Sequence, residues 1–184
     1  MPAPRDDAIL DAARHVFEQY GARRATVDDV AATAGVSRST LYRSYPGKEA
    51  LLAAVVQRET DTFFDELDEV AAGLPPRQAL VECFVRGISL LRQVPVLGRL
   101  AVTEPAVVTG TPGHPPLLRR HTDRVAATLR RAGAALPDAE LEQAAEILVR
   151  LASTYLVDPE GSLDLADPAA VGAWADRWLV PLLP

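Results

Sequence analysis

Apolar residues recur every three to four positions along most of the chain. No stretch keeps the two-residue alternation of a half-buried strand. Ile9, Ala13, Val16, Phe17 and Tyr20 predict a first helix over about 6–20, stopped by Gly21. Val27, Val30, Ala31 and Ala34 form the apolar face of a second, which Thr26 caps and Asp29 completes as a capping-box-like pair. Gly35 supplies a turn, Ser37 a fresh cap, and a third helix runs to about Tyr45 before Pro46–Gly47 ends it. A fourth, longer helix over 48–72 carries Leu52, Val56, Phe63, Leu67 and Val70 on one face.

The same period continues to the end. A fifth helix is expected over 77–94, a short sixth over 96–103, a seventh over 116–132 and an eighth from 137 or 138 to 157. A ninth should open with Asp167 as cap and Pro168 as first helical residue, and run to about 183. A Pro/Gly-rich loop, 104–116, lies between the sixth and seventh. The pattern is that of an all-α protein of about nine helices. On the eighth, the apolar set from Leu141 to Leu156 spreads over roughly 200°, whereas one buried side needs only about 100° or somewhat more. Either this is the central helix of a monomeric bundle, or a second subunit shares it. Trp174 and Trp178, one turn apart on the ninth, form an apolar ridge that could join the same interface.

Composition narrows the setting. The 184 residues have ordinary apolar and charged content for a folded chain, with no signal-like leader and no apolar run long enough to span a bilayer. A cytoplasmic protein is expected. Its one cysteine, Cys83, excludes an internal disulfide and a cysteine-rich metal site. The net charge of −6 resides entirely in residues 51–184; residues 1–50 are balanced. Within 20–48, Arg23, Arg24, Arg38, Arg43 and Lys48 outnumber Asp28 and Asp29, so an acidic chain has a locally basic head suited to a polyanion.

The first three helices have the proportions of a helix-turn-helix unit, with Ala31, Ala34, Val36 and Leu41 as the wedge between two short helices. On the third helix Leu41 points inward, opposite Ser39 and Arg43, with Thr40 and Tyr42 beside them and Arg38 in the first turn. Arg pairs with guanine in a major groove, Ser or Thr reaches a base or phosphate, and Tyr offers a hydroxyl on an apolar ring. The helix start near Thr26, and Lys48 beyond the turn, suit phosphates, as Thr40 does.

The segment "TVDDVAATAGVSRSTLYRSYPGKEALL", residues 26–52, resembles the DNA-binding head of the TetR/AcrR family of bacterial transcriptional regulators. Thr26, Val30, Ala31, Ala34, Gly35, Val36, Ser37, Thr40, Leu41, Tyr42, Tyr45, Lys48 and Leu51 carry the match. Ile9, Ala12, Ala13, Phe17 and Gly21 extend it, over about residues 7–52. Ser44–Tyr45 departs from the His–Phe often found there. The resemblance implies a head over 1–47 and a ligand-binding and dimerisation bundle over 48–184. It implies a homodimeric repressor that binds a palindromic double-stranded operator and is released by a small apolar or amphipathic effector. In the body, the fourth, fifth, seventh and eighth helices can enclose an apolar cavity lined by Phe63, Phe84, Ile88, Leu91, Val125 and Tyr155. His121 and Thr128 would be its polar contacts, and the 104–116 loop its entrance.

Other chemistry is thin. His15 lies beside the first helix's core stripe, and His121 is either a pocket anchor or a packed histidine. His114 with His121 lacks the partners of a metal site, and Arg86 and Arg92 are either solvated or contacts for an acidic ligand. No catalytic triad, phosphate loop or carboxylate pair is present, so no enzyme, cofactor or membrane partner is expected. The alternative to a regulator is a helical small-molecule sensor or carrier that does not bind DNA.

Overall fold

The computed structural model describes residues 4–93 and 117–183, and every regular element among them is helical. In chain order these are α1 (Pro4–Arg24), α2 (Val27–Ala34), α3 (Arg38–Ser44), α4 (Lys48–Ala71) and α5 (Pro76–Gln93). Then come α6 (Leu117–Arg131), α7 (Asp138–Val157), α8 (Pro168–Trp178) and a 3-10 turn at Val180–Leu182. The expected helix at 96–103 and loop at 104–116 lie outside the described residues. The expected seventh, eighth and ninth helices are therefore α6, α7 and α8.

Local chemistry explains the head. Asp6 and Asp7 in the first turn of α1 and Arg23 and Arg24 in its last oppose the helix dipole, and α1 extends past the expected 6–20 at both ends. Gly21, at φ 73° and ψ 156°, breaks it, and the turn that follows buries Ala22 and Ala25. Thr26 Oγ1 accepts from the Asp29 N–H at 3.2 Å, while the Asp29 carboxylate accepts from the Thr26 N–H at 3.0 Å. This reciprocal pair starts α2. Gly35, at φ 65°, ends α2, and the Val36 N–H donates to the Ala31 carbonyl at 3.0 Å. Ser37 then caps α3 by accepting from the Thr40 N–H at 3.2 Å. Leu41, fully buried, seats α3 on the core formed by Ile9, Ala13, Val16, Phe17 and Val30.

That core does not end with the head. Leu51, Leu52, Val55 and Val56, from the first turns of α4, belong to the same buried cluster. Farther along α4, Phe64, Leu67 and Ala71 are buried while Phe63 and Val70 are only half-buried, which corrects the expected stripe. The reason is two-sided cover: α4 packs against α5 and against α6. A second cluster joins α5 to α6, α7 and α8 through Leu80, Phe84, Ile88, Leu129, Leu148, Val171 and Ala175. Asp167 caps α8 by accepting from the Ala169 N–H at 2.9 Å, with Pro168 as its first residue. α8 stops at Trp178 rather than near 183; Pro181 lacks an N–H and clashes with a preceding helical turn, so the chain tightens into the 3-10 turn.

Gly35 has open space where a Cβ would stand, so Gly35→Ala isolates the cost of a left-handed backbone. A loss of about 1–2 kcal/mol is expected, read as a lower urea midpoint with an unchanged m-value.

Candidate functional site

α3 presents Arg38, Ser39, Tyr42 and Arg43 to solvent, on the side away from Leu41. Tyr42 is 48% exposed, so its ring and hydroxyl are open to a partner. Arg38 is held by Asp28 of α2 at 2.6 Å, which aims the guanidinium along the junction of the two helices. Among the described residues Arg43 has no ion-pair partner. The Thr40 hydroxyl is 2.8 Å from the Ser37 hydroxyl and so reinforces the cap. Thr26 is exposed at the start of α2. The Lys48 ammonium donates to the Arg23 carbonyl at 3.3 Å, placing it beside the exposed Arg23 and Arg24. Cations and a helix N-terminus thus flank a polar, outward α3, an arrangement suited to phosphates on either side of a groove.

The body has a half-open cavity of about 170 Å³ between α4, α5, α6 and α7. Of the residues expected there, Phe63, Phe84, Ile88, Leu91, His121, Val125 and Thr128 line it. Tyr155 does not. Its ring packs with Phe84 and Trp174, at centroid distances of 6.5 and 6.4 Å, and this aromatic cluster holds it to one side. Thr128 is also not a free contact, because its hydroxyl is bonded to the Asp68 carboxylate and the Arg124 carbonyl. The His121 ring lies 5.1 Å from that of Phe64, and its Nε2 is buried with no hydrogen-bond partner among the described residues. Burial, with the Arg120 charge adding to it and Asp61 opposing, lowers its pKa to about 4, so the ring is neutral at neutral pH. Burial likewise pushes the Cys83 thiol up to about 11, and it donates to the Leu67 carbonyl.

Along the rim, α6 is strapped to α4. Arg120 binds Gln57 and Asp61, the latter at 2.7 Å; Arg124 reaches Asp65 at 2.8 Å and Asp68 at 3.2 Å; Arg131 also binds Asp68. Two further candidates are engaged elsewhere: Arg86 pairs with Glu66 at 2.5 Å, and Arg92 donates to the Leu165 carbonyl at 2.9 Å. His15 is exposed and His114 lies outside the described residues. Among the described residues no three His, Cys, Asp or Glu side chains are grouped to hold a metal, and no helix is long and apolar enough to cross a membrane.

Comparison with known proteins gives this geometry its context. Residues 9–55 match the model of the family described as bacterial regulatory proteins, tetR family. An uncharacterized HTH-type transcriptional regulator of Mycobacterium tuberculosis is 30% identical over 178 residues, covering 96% of this chain and 71% of that protein. The chain belongs to the tetR family. It is a helix-turn-helix transcriptional regulator, as its relatives are, and not an enzyme. The regulator RutR of Escherichia coli is 31% identical over 105 residues, 57% of this chain and 49% of RutR. Among solved structures, the TetR family repressor AlkX of Dietzia sp., implicated in biodegradation of n-alkanes, superposes with a TM-score of 0.71. The identity is 23%, and the match covers 98% of this chain and 95% of that one. The fatty acid degradation regulator FadR of Bacillus halodurans gives 0.64 at 18% identity, covering 95% and 97%.

Some features of this tetR-family chain escaped the sequence. Thr60, Phe64, Leu67 and Ser153 also line the cavity. The strap had a signal: Gln57, Asp61, Asp65 and Asp68 on one helix, and Arg120, Arg124 and Arg131 on another, repeat at three, four or seven residues. Trp174 stacks on Phe84 at 5.8 Å, while Trp178 is 57% exposed.

The depressed His121 pKa has a stability consequence. The unfolded chain binds the proton more readily than the folded one between pH 6.5 and about 4, so this contribution is complete above pH 6.5 and is lost as pH falls. From pH 7 to pH 5 the loss should be about 2 kcal/mol. His121→Asn, which does not titrate there, should show a correspondingly smaller loss in denaturant titrations at the two pH values.

Proposed function

We propose that this chain is a ligand-responsive repressor that binds a palindromic operator as a homodimer and is released by a small apolar or amphipathic effector. The observation that carries the reading is α4 itself. One unbroken helix contributes Leu51, Leu52, Val55 and Val56 to the core under α3, and Thr60, Phe63, Phe64 and Leu67 to the cavity wall. A ligand that displaces the far half of α4 acts on the seat of the DNA-reading helix. A tenfold loss of operator affinity needs only about 1.4 kcal/mol of coupling. The division of labour follows: residues 1–47 read DNA and 48–184 sense the effector and dimerise, with α4 as the lever between them. A cytoplasmic location suits a protein whose target is bacterial DNA.

Arg38, Ser39, Tyr42 and Arg43 are assigned to bases or adjacent phosphates, and Thr26, Thr40 and Lys48 to the backbone. Lys48→Ala should weaken binding about equally on all sequences and lower the salt slope by roughly 1. Arg38→Ala should instead change the preferred base, at about 1–3 kcal/mol. Electrophoretic shifts over a salt series, with the chain's own upstream DNA and single-base variants, measure both. A chain that ignores that DNA at low salt is a sensor and not a repressor.

The dimer reading rests on exposed apolar surface. Ile147 of α7 is 50% exposed and Trp178 of α8 more so, while Leu151 is only half-buried, and a helix with an apolar arc this wide calls for a second cover. Two heads on one palindrome require two-fold symmetry. Sedimentation velocity at micromolar concentration should return a dimer for the native chain. The double variant Ile147→Glu/Trp178→Glu should sediment as a folded monomer with an unchanged helical circular dichroism spectrum. A native monomer would remove the reading.

A further inference from the structure

Resting on the reading of the body as an effector-binding unit, we propose the chemical class of its ligand. The cavity takes a compact uncharged molecule, about one ring in size, whose single hydrogen-bonding group meets His121, and it rejects the carboxylate of the same size.

Volume sets the first limit. A dry apolar cavity of about 150 Å³ holds benzene, and this one measures about 170 Å³. One ring with a short substituent fills it.

The polar inventory sets the second. The Ser153 hydroxyl donates to the Val149 carbonyl at 2.7 Å, and the Cys83 thiol to the Leu67 carbonyl at 3.3 Å. The Thr128 hydroxyl is bonded to Asp68 and to the Arg124 carbonyl. These three groups already have partners within the protein, and the fourth polar group of the lining, the Thr60 hydroxyl, is not a buried unpaired atom. His121 differs: it lines the cavity and its Nε2 is buried without a partner among the described residues. A desolvated nitrogen left unpaired is costly, so a ligand hydroxyl or carbonyl placed there relieves a penalty that the protein otherwise carries. A neutral imidazole has one nitrogen that donates and one that accepts, so either group can be matched.

Charge sets the third. Among the described residues, no Arg, Lys, Asp or Glu lines the cavity. Arg120 and Arg124, which flank His121 on α6, are already bound by Asp61, Asp65 and Asp68 of α4. With a pKa near 4, the imidazole itself offers no cation at neutral pH. A carboxylate entering here would lose its hydration without gaining a counter-charge, and an ammonium would meet no anion.

Three probes of one size separate these terms: 2-phenylethanol, phenylacetate and ethylbenzene, titrated into the full chain at pH 8 by ligand-observed NMR. The alcohol should bind at least about tenfold more tightly than the acid and about fivefold more tightly than the hydrocarbon. His121→Leu should abolish the alcohol's advantage over ethylbenzene and leave ethylbenzene binding in place. His121→Gln, which keeps a hydrogen-bonding group should the Leu variant fold poorly, should retain part of that advantage. Ala152→Phe, which places a ring in the cavity, should remove binding of both. Equal affinity for phenylacetate, no binding of the alcohol, or an alcohol preference that survives His121→Leu would each overturn the assignment. Operator shifts with the same probes keep the two readings apart. Alcohol that binds through His121 without releasing operator supports this ligand class and refutes the ligand-responsive repressor. Release by phenylacetate refutes the class and leaves the repressor standing.

Discussion

A single helix that must satisfy two cores is the constraint on which the rest of the structure depends. The first turns of α4 are buried with α1, α2 and α3, and its later turns are buried with α5 and α6. Neither core can repack without transmitting the change along a rigid rod of 24 residues. Close-packed interiors resist continuous deformation and move instead between discrete arrangements. The position of α4 is therefore the coordinate along which head and body communicate. The strap of Arg120, Arg124 and Arg131 fixes that coordinate on the side of α6, where apolar contact alone would allow sliding.

The reading head is rigid for a different reason. α2 and α3 have 8 and 7 residues, too short to be stable alone. Their ends are instead held by bonds within three or four residues: Thr26 with Asp29, Gly35 with Ala31 and Ala32, Ser37 with Thr40. Leu41 then locks the pair onto the core. Because the inward residue and the caps carry the stability, the outward side chains of α3 are free to vary with the DNA they meet. Scaffold and specificity occupy opposite faces of the same two turns.

This separation also explains what could be read from the chain beforehand. The capping box, the Gly35 turn, the Ser37 cap and the Asp167–Pro168 start are local, and a single short window of sequence contains each whole interaction. The apolar face of α4 is not local. When a helix is covered on two sides the period of 3.6 no longer selects one stripe, so Phe63 was expected where Phe64 is the buried ring. Tyr155 and Trp174 were separately recognisable as apolar, but their meeting with Phe84 depends on how α5, α7 and α8 cross. Seven of the eight cavity residues proposed from sequence line the cavity, and they come from α4, α5 and α6. The orphaned nitrogen of His121 had no sequence signature: it arises because no neighbour among the described residues bonds it.

Asp68 has an uneven role in the strap. Its carboxylate receives Arg124, Arg131 and the Thr128 hydroxyl. If any one donor is lost, two remain, and the anion stays satisfied. If the carboxylate is lost, two guanidiniums and a hydroxyl lose an acceptor together. Around Asp68 the attachment is thus redundant on its basic side and concentrated in one group on its acidic side, while Asp61 and Asp65 still hold Arg120 and Arg124. Over sequence drift, Arg124 or Arg131 can be exchanged singly, while Asp68 is the keystone of the end of the strap nearest the close of α4.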